Sequence, residues 1–148
     1  NNSLPATGVT PGAANLFIGG GGLDTMTGTT GALDIFAYTS LSDSAANANR
    51  DVINGFEAGR DKIDLHGIAP VSTGWSWLGD ITGMSALNKG LIAAGSVAIE
   101  TVTTGTGANA VQHTYIDLFD TTGHVASQID LTGTRTTHPL IGSTDFIF

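Results

Sequence analysis

The chain has no cysteine among its 148 residues, so disulfides add nothing to its stability and thiol usage says nothing about its compartment. A small domain in that position gains extra stability from a bound metal or from self-association. Basic residues are also few. Five Lys and Arg stand against thirteen Asp and Glu, giving a net charge of −8 and a pI near 4.5. That balance argues against nucleic acid or an anionic membrane surface as partner and favours a divalent cation. No apolar run approaches the roughly 18 residues of a membrane span, and no basic, apolar, small-residue succession resembles a cleavable export signal. Catalytic signatures are missing as well. There is no G-x-S-x-G elbow and no Cys nucleophile, and His66, His113, His124 and His138 fall outside any zinc-binding spacing. His113 and His124 could face each other across a hairpin near Asp117, where a pair of solvated histidines outweighs a site. Glycine and proline together make about 17% of the chain, short of the roughly 25–30% that signals disorder. With 41% hydrophobic residues the chain can build a core, and one domain is the natural count.

What is abundant is glycine, at 21 residues or about twice ordinary usage. The run Gly19-Gly20-Gly21-Gly22-Leu23-Asp24-Thr25-Met26-Thr27 fits the nonapeptide G-G-x-G-x-D-x-U-x, with U a large apolar residue, which forms a calcium-binding turn and then a short strand in a parallel β-roll. Glycines permit φ > 0 and turn carbonyl oxygens inward, and Asp24 adds a carboxylate. Calcium takes about six to eight oxygen ligands, so one such turn is half a site. The frames on either side are degraded. In Thr10 to Ile18, Asn15 sits at the Asp position, Phe17 at the apolar one, and Gly12 is the only glycine. In the following frame Gly28 and Gly31 are kept, and one extra residue moves Asp34 and Phe36 a place late. A flexible glycine loop is the plain alternative. Phe17, Met26 and Phe36 recur at intervals of nine and then ten, which favours the roll.

Further on, Asp34-Ile-Phe-Ala-Tyr-Thr-Ser-Leu-Ser-Asp-Ser44 leads to Arg50-Asp51-Val-Ile-Asn-Gly-Phe56 and Gly59-Arg60-Asp61-Lys62-Ile63-Asp64-Leu65. These segments resemble the closing part of RTX proteins, the calcium-dependent substrates of bacterial type I secretion, and most closely the C-terminal module of serralysin-like proteases and mannuronan epimerases. Asn54 departs from that family's D-x-I-x-D-F strand, where a second Asp is usual. Taken alone, Asp51, Asp61 and Asp64 at the ends of short apolar runs could reach a cation or be solvated charges. The resemblance implies bound Ca²⁺, a secreted or cell-surface location, a type I ABC exporter as partner, and an uncleaved C-terminal secretion signal at Asp145-Phe146-Ile147-Phe148. Those four residues could equally form an edge strand.

The expected architecture is all-β: a short parallel RTX-type β-roll capped by antiparallel C-terminal strands. Residues 1–13 read as a linker and 14–148 as one domain; Asn1 is not a start methionine, so a piece of a longer protein is expected, with any chemistry in the part that precedes it. Met84 to Ile92 could form a short helix. Val97–Val102, His113–Phe119 and the stretch holding Val125, Ser127, Ile129 and Leu131 read as strands, with a turn at Asp120–Gly123. The expected calcium ligands are Asp24 with the Gly20 and Gly22 carbonyls, completed by Asp34 or Asp43, with Asp51 as a further carboxylate. Trp75 and Trp77, in a Gly/Ser/Pro-rich loop, offer a stacking surface for a sugar ring. The expected role is a non-catalytic calcium-binding module. A polysaccharide- or cell-surface-binding module, or the structural tail of a secreted hydrolase or epimerase, are the alternatives.

Overall fold

The N-terminal half is built by a chain that crosses between two sheets at every turn. The structure is a computed structural model and describes residues 2–5, 13–68, 74–85, 89–90, 92–132 and 141–148. Strands β1 (Ser3–Pro5), β3 (Thr25–Thr27) and β5 (Val52–Asn54) lie parallel in one sheet. Strands β2 (Ala14–Phe17), β4 (Leu33–Ala37) and β6 (Lys62–Asp64) lie parallel in the other. This is the expected parallel β-roll. Because each nonapeptide supplies one strand and one turn, successive turns fall on opposite edges of the roll.

One inward residue per strand makes two apolar ladders. Leu4, Met26, Ile53 and Leu131 are in register along one sheet, and Phe17, Phe36, Ile63 and Phe146 along the other. Met26, Phe36, Ile53 and Ile63 are completely buried, and the Phe17 and Phe36 rings stack at 4.9 Å. Burying each such side chain contributes about 1.5–3 kcal/mol, so the ladders are the main source of roll stability.

The remaining strands are β7 (Ser76–Asp80), β8 (Ser96–Thr104), β9 (Val111–Phe119), β10 (Val125–Thr132) and β11 (Phe146–Ile147). β10 adds in parallel to β5, and β9 and β8 follow antiparallel. β11 adds in parallel to β6. The antiparallel segment therefore continues both roll sheets, giving the orders β1-β3-β5-β10-β9-β8-β7 and β11-β6-β4-β2. Pairing at this end removes the open edges that β5 and β6 would otherwise present. The Asp120 turn forms as expected, with Gly123 at φ 77° donating its N–H to the Asp120 carbonyl.

Ser3–Pro5, inside the stretch read as a linker, is a strand bound to β3. Trp77 lies in β7, paired with β8, rather than in a loop. The helix expected over 84–92 falls partly on 86–88 and 91, outside the described residues, as do 10–12 of the first degenerate repeat. Among the described residues no helix is long and apolar enough to cross a membrane.

Candidate metal centre

The intact nonapeptide forms the turn between β2 and β3. Gly20 and Gly22 take φ of 76° and 108°, the left-handed region that the turn requires. Gly19 has a different role: a Cβ there would stand 2.9 Å from Asp24 Oδ2, so only glycine lets the carboxylate fold back over the turn. Gly28 does the same for Asp34, where a Cβ would lie 2.6 Å from Oδ2.

Asp24 is completely buried at the start of β3. Its Oδ1 accepts the Asn2 N–H, while its own N–H donates to Asp51 Oδ1 at 2.8 Å. Asp51 stands at the start of β5, one coil further along the same edge, and is also completely buried. Asp43 belongs to this edge too, but its Oδ2 is occupied within its own turn by Thr39 N–H, Thr39 Oγ1 and Ser40 N–H. The Tyr38 hydroxyl lies next to the Asp51 carboxyl, yet neither has a well-formed hydrogen bond there: Asp24 Oδ2, Asp51 Oδ2 and Tyr38 Oη are all buried and unpartnered. Burial pushes the Asp51 carboxyl up to about 7, against a lowering by the Asp24 N–H, and the charge of Asp24 pushes in the same direction as burial. Burial, followed by the Asp51 carboxylate, likewise raises Tyr38 well above the usual phenol range.

The opposite edge carries Asn15, Asp34, Asp61 and Asp145. Asn15 Nδ2 donates to Asp34 Oδ1, and Thr29 N–H to Asp34 Oδ2. Asp61 Oδ1 accepts the Asp34 N–H at 3.0 Å, and its Oδ2 the Glu57 N–H at 2.7 Å. Asp145 accepts from Gly59 N–H at 2.7 Å and Gly142 N–H at 3.0 Å, with Lys62 Nζ 3.9 Å away. Burial pushes Asp61 up to about 6, opposed by these N–H donors.

Asp34 thus lies on the edge away from Asp24 and cannot complete its site. Consecutive repeats alternate edges, so the stacked neighbour of Asp24 is Asp51. Among the described residues no three His, Asp or Glu side chains converge as a ready-made metal cluster. The donor set at Asp24 and Asp51 nevertheless fits the chemistry of a hard cation: two buried carboxylate oxygens without partners, beside a glycine turn.

The other candidates take different places. Asp145, in the turn Ser143–Asp145, and Phe146 are buried, Phe146 and Ile147 form β11 against β6, and Ile147 and Phe148 are exposed. Trp75 and Trp77 pack against the main core, and the Trp77 ring meets Phe146 at 5.1 Å. His113 does not face His124. Its Nδ1 pairs with Asp130 at 2.8 Å and its Nε2 with Thr104 Oγ1 at 3.0 Å, while Asp117 accepts from Gln128 and His124 bonds Thr122. His138 lies outside the described residues. Tyr38 is not singled out by the sequence, and Asp61 stands there only as one of three carboxylates that could equally be solvated. Asp61 is 27 positions from Asp34, as Asp51 is from Asp24, and that shared interval is the signal that finds it.

No curated protein sequence matches the chain. The family model described as Peptidase M10 serralysin C terminal matches residues 1–87, more than half of the 148. Together with the two-sheeted roll and its Asp-bearing turns, this match shows that the chain belongs to the serralysin C-terminal family, RTX-type β-roll modules of secreted proteins.

Proposed function

We propose that the domain is a non-catalytic calcium-binding module of a type I-secreted extracellular protein, which folds on calcium after export. The observation that carries this reading is the pair of buried, unpartnered oxygens on Asp24 and Asp51 at the glycine turn. A buried carboxylate oxygen without a donor costs about 1–3 kcal/mol or more, and two such groups repel. Asp24, Asp51 and the Gly20 and Gly22 carbonyls are the residues that would hold the ion. Bound calcium supplies the positive charge that offsets both carboxylates. In a cytosol poor in free calcium the repulsion loosens the roll. Outside, calcium near a millimolar exceeds the ~10⁻⁴–10⁻³ M dissociation constants of extracellular modules and stabilises the fold by mass action.

The C-terminal strand supports the same sequence of events. Asp145 is clamped by two backbone N–H groups and Phe146 sits in the core, so an exporter that reads Asp145 to Phe148 reads them on the unfolded chain. Folding outside the cell then removes the signal from reach. The test compares thermal unfolding in chelator and in millimolar calcium, followed by circular dichroism. A site with a dissociation constant of about 10⁻⁴ M gives about 1.4 kcal/mol of added stability at 1 mM calcium, and Asp24→Ala abolishes the increment. Equal midpoints in calcium and chelator for the wild-type chain would remove calcium from the account.

A further inference from the structure

The two edges of the roll satisfy their carboxylates by different chemistry. Along the Asp34 edge both carboxylate oxygens of Asp34, Asp61 and Asp145 have a protein donor: Asn15 Nδ2 and Thr29 N–H on Asp34, Asp34 N–H and Glu57 N–H on Asp61, Gly59 N–H and Gly142 N–H on Asp145. Along the Asp24 edge, Oδ2 of Asp24 and Oδ2 of Asp51 have none. The decisive substitution is visible in the repeat frame. Asn15 occupies the place that Asp24 holds in the intact nonapeptide, and it stands in register with Asp34. An aspartate there would set two carboxylates against each other. The amide instead points an N–H at Asp34 Oδ1, presenting the positive end of a dipole where a shared cation would otherwise be needed.

We propose that the Asn15–Asp34–Asp61–Asp145 edge is a metal-independent clasp, in which an amide and backbone N–H groups replace a cation, and that calcium dependence is confined to the Asp24–Asp51 edge. Only the second half of this statement rests on the calcium-binding reading above. The clasp ties β2, β4, β6 and β11 through three carboxylates whose hydrogen bonds do not depend on metal concentration. It keeps one sheet in register while the opposite edge waits for its ion.

The test is Asn15→Asp, with calcium itself as the probe. In chelator at pH 8 the variant unfolds about 5–10 °C below the wild-type chain. In millimolar calcium that loss is recovered, and calorimetric titration counts one more calcium ion per chain than in the wild type. Should the variant fail to fold in chelator, recovery of its β signal on adding calcium reads the same outcome. Unchanged stability in chelator, or a loss that calcium does not reverse, would overturn the clasp. A wild-type chain that takes up no calcium, beside a variant that shows both the chelator defect and a bound ion, would sink the proposed role of Asp24 and leave the clasp standing.

Discussion

Replacing Asp51 by Asn should make the calcium-free domain more stable while abolishing its response to calcium. The substitution keeps the Oδ1 that accepts the Asp24 N–H at 2.8 Å. It removes the charge that burial and Asp24 disfavour, and turns the unpartnered Oδ2 into an N–H donor of the kind Asn15 supplies on the other edge. At about 1.4 kcal/mol per pH unit, ionising at pH 8 a carboxyl that titrates at about 7 instead of 3.8 costs at most about 4 kcal/mol. The effective dielectric around a buried carboxyl is well above that of a dry interior and the turn can relax around the charge, which offsets most of that ceiling and leaves about 1–2 kcal/mol. For a chain of this size the gain corresponds to about 3–8 °C in the unfolding midpoint. The sign follows from linkage. A carboxyl whose folded value is raised stabilises below its unfolded value and loses that contribution as pH rises through 7, so the advantage of Asn shrinks toward zero between pH 8 and pH 4. Thermal melts of both chains in chelator across that range decide the matter. A variant less stable than wild type at pH 8, or an advantage that does not change with pH, would refute the reasoning.

Gly19→Ala places a Cβ 2.9 Å from Asp24 Oδ2, so the carboxylate must move; calcium affinity should fall at least about tenfold by calorimetry. Phe36→Ala empties the middle of one ladder, between Phe17 and Ile63, and should cost about 3–5 kcal/mol in urea unfolding whether or not calcium is present. The stability of the chelated wild-type chain should fall as pH rises from about 4 to 7 and level off above that, because the unfolded carboxyls ionise near 3.8 while the folded Asp61 and Asp51 keep their protons until about 6 and about 7. A flat profile over that interval would show that these carboxyls are not held protonated by burial.

The roll was legible because its signal is local. A single nonapeptide spans one turn and one strand, and the recurrence of Phe17, Met26 and Phe36 reports the inward position of each strand directly. The β8, β9 and β10 strands were equally readable from alternation and from the Asp120 turn. Site assembly was harder, since it depends on which turns stack. Adjacent repeats suggest Asp34 as the partner of Asp24, but two repeats and the Ser-rich turn after Tyr38 make up a coil, and the actual neighbour is 27 residues away. Long-range pairings were hidden for the same reason. Nothing near His113 announces Asp130, and nothing near Phe146 announces β6, because both contacts are set by how the C-terminal segment extends the roll sheets. The glycines were only half understood from sequence: the left-handed turn explains Gly20 and Gly22, while Gly19 and Gly28 are small because a carboxylate lies over each.

The most direct test of the account is a calorimetric calcium titration of the chelator-treated chain beside Asp24→Asn, at pH 7.5. The account predicts binding with a dissociation constant in the ~10⁻⁴–10⁻³ M range, accompanied by a rise in ordered β signal, and loss of both in the variant. A wild-type chain that is fully ordered without calcium and takes up no heat, or an Asp24→Asn variant that binds as the wild type does, would contradict it.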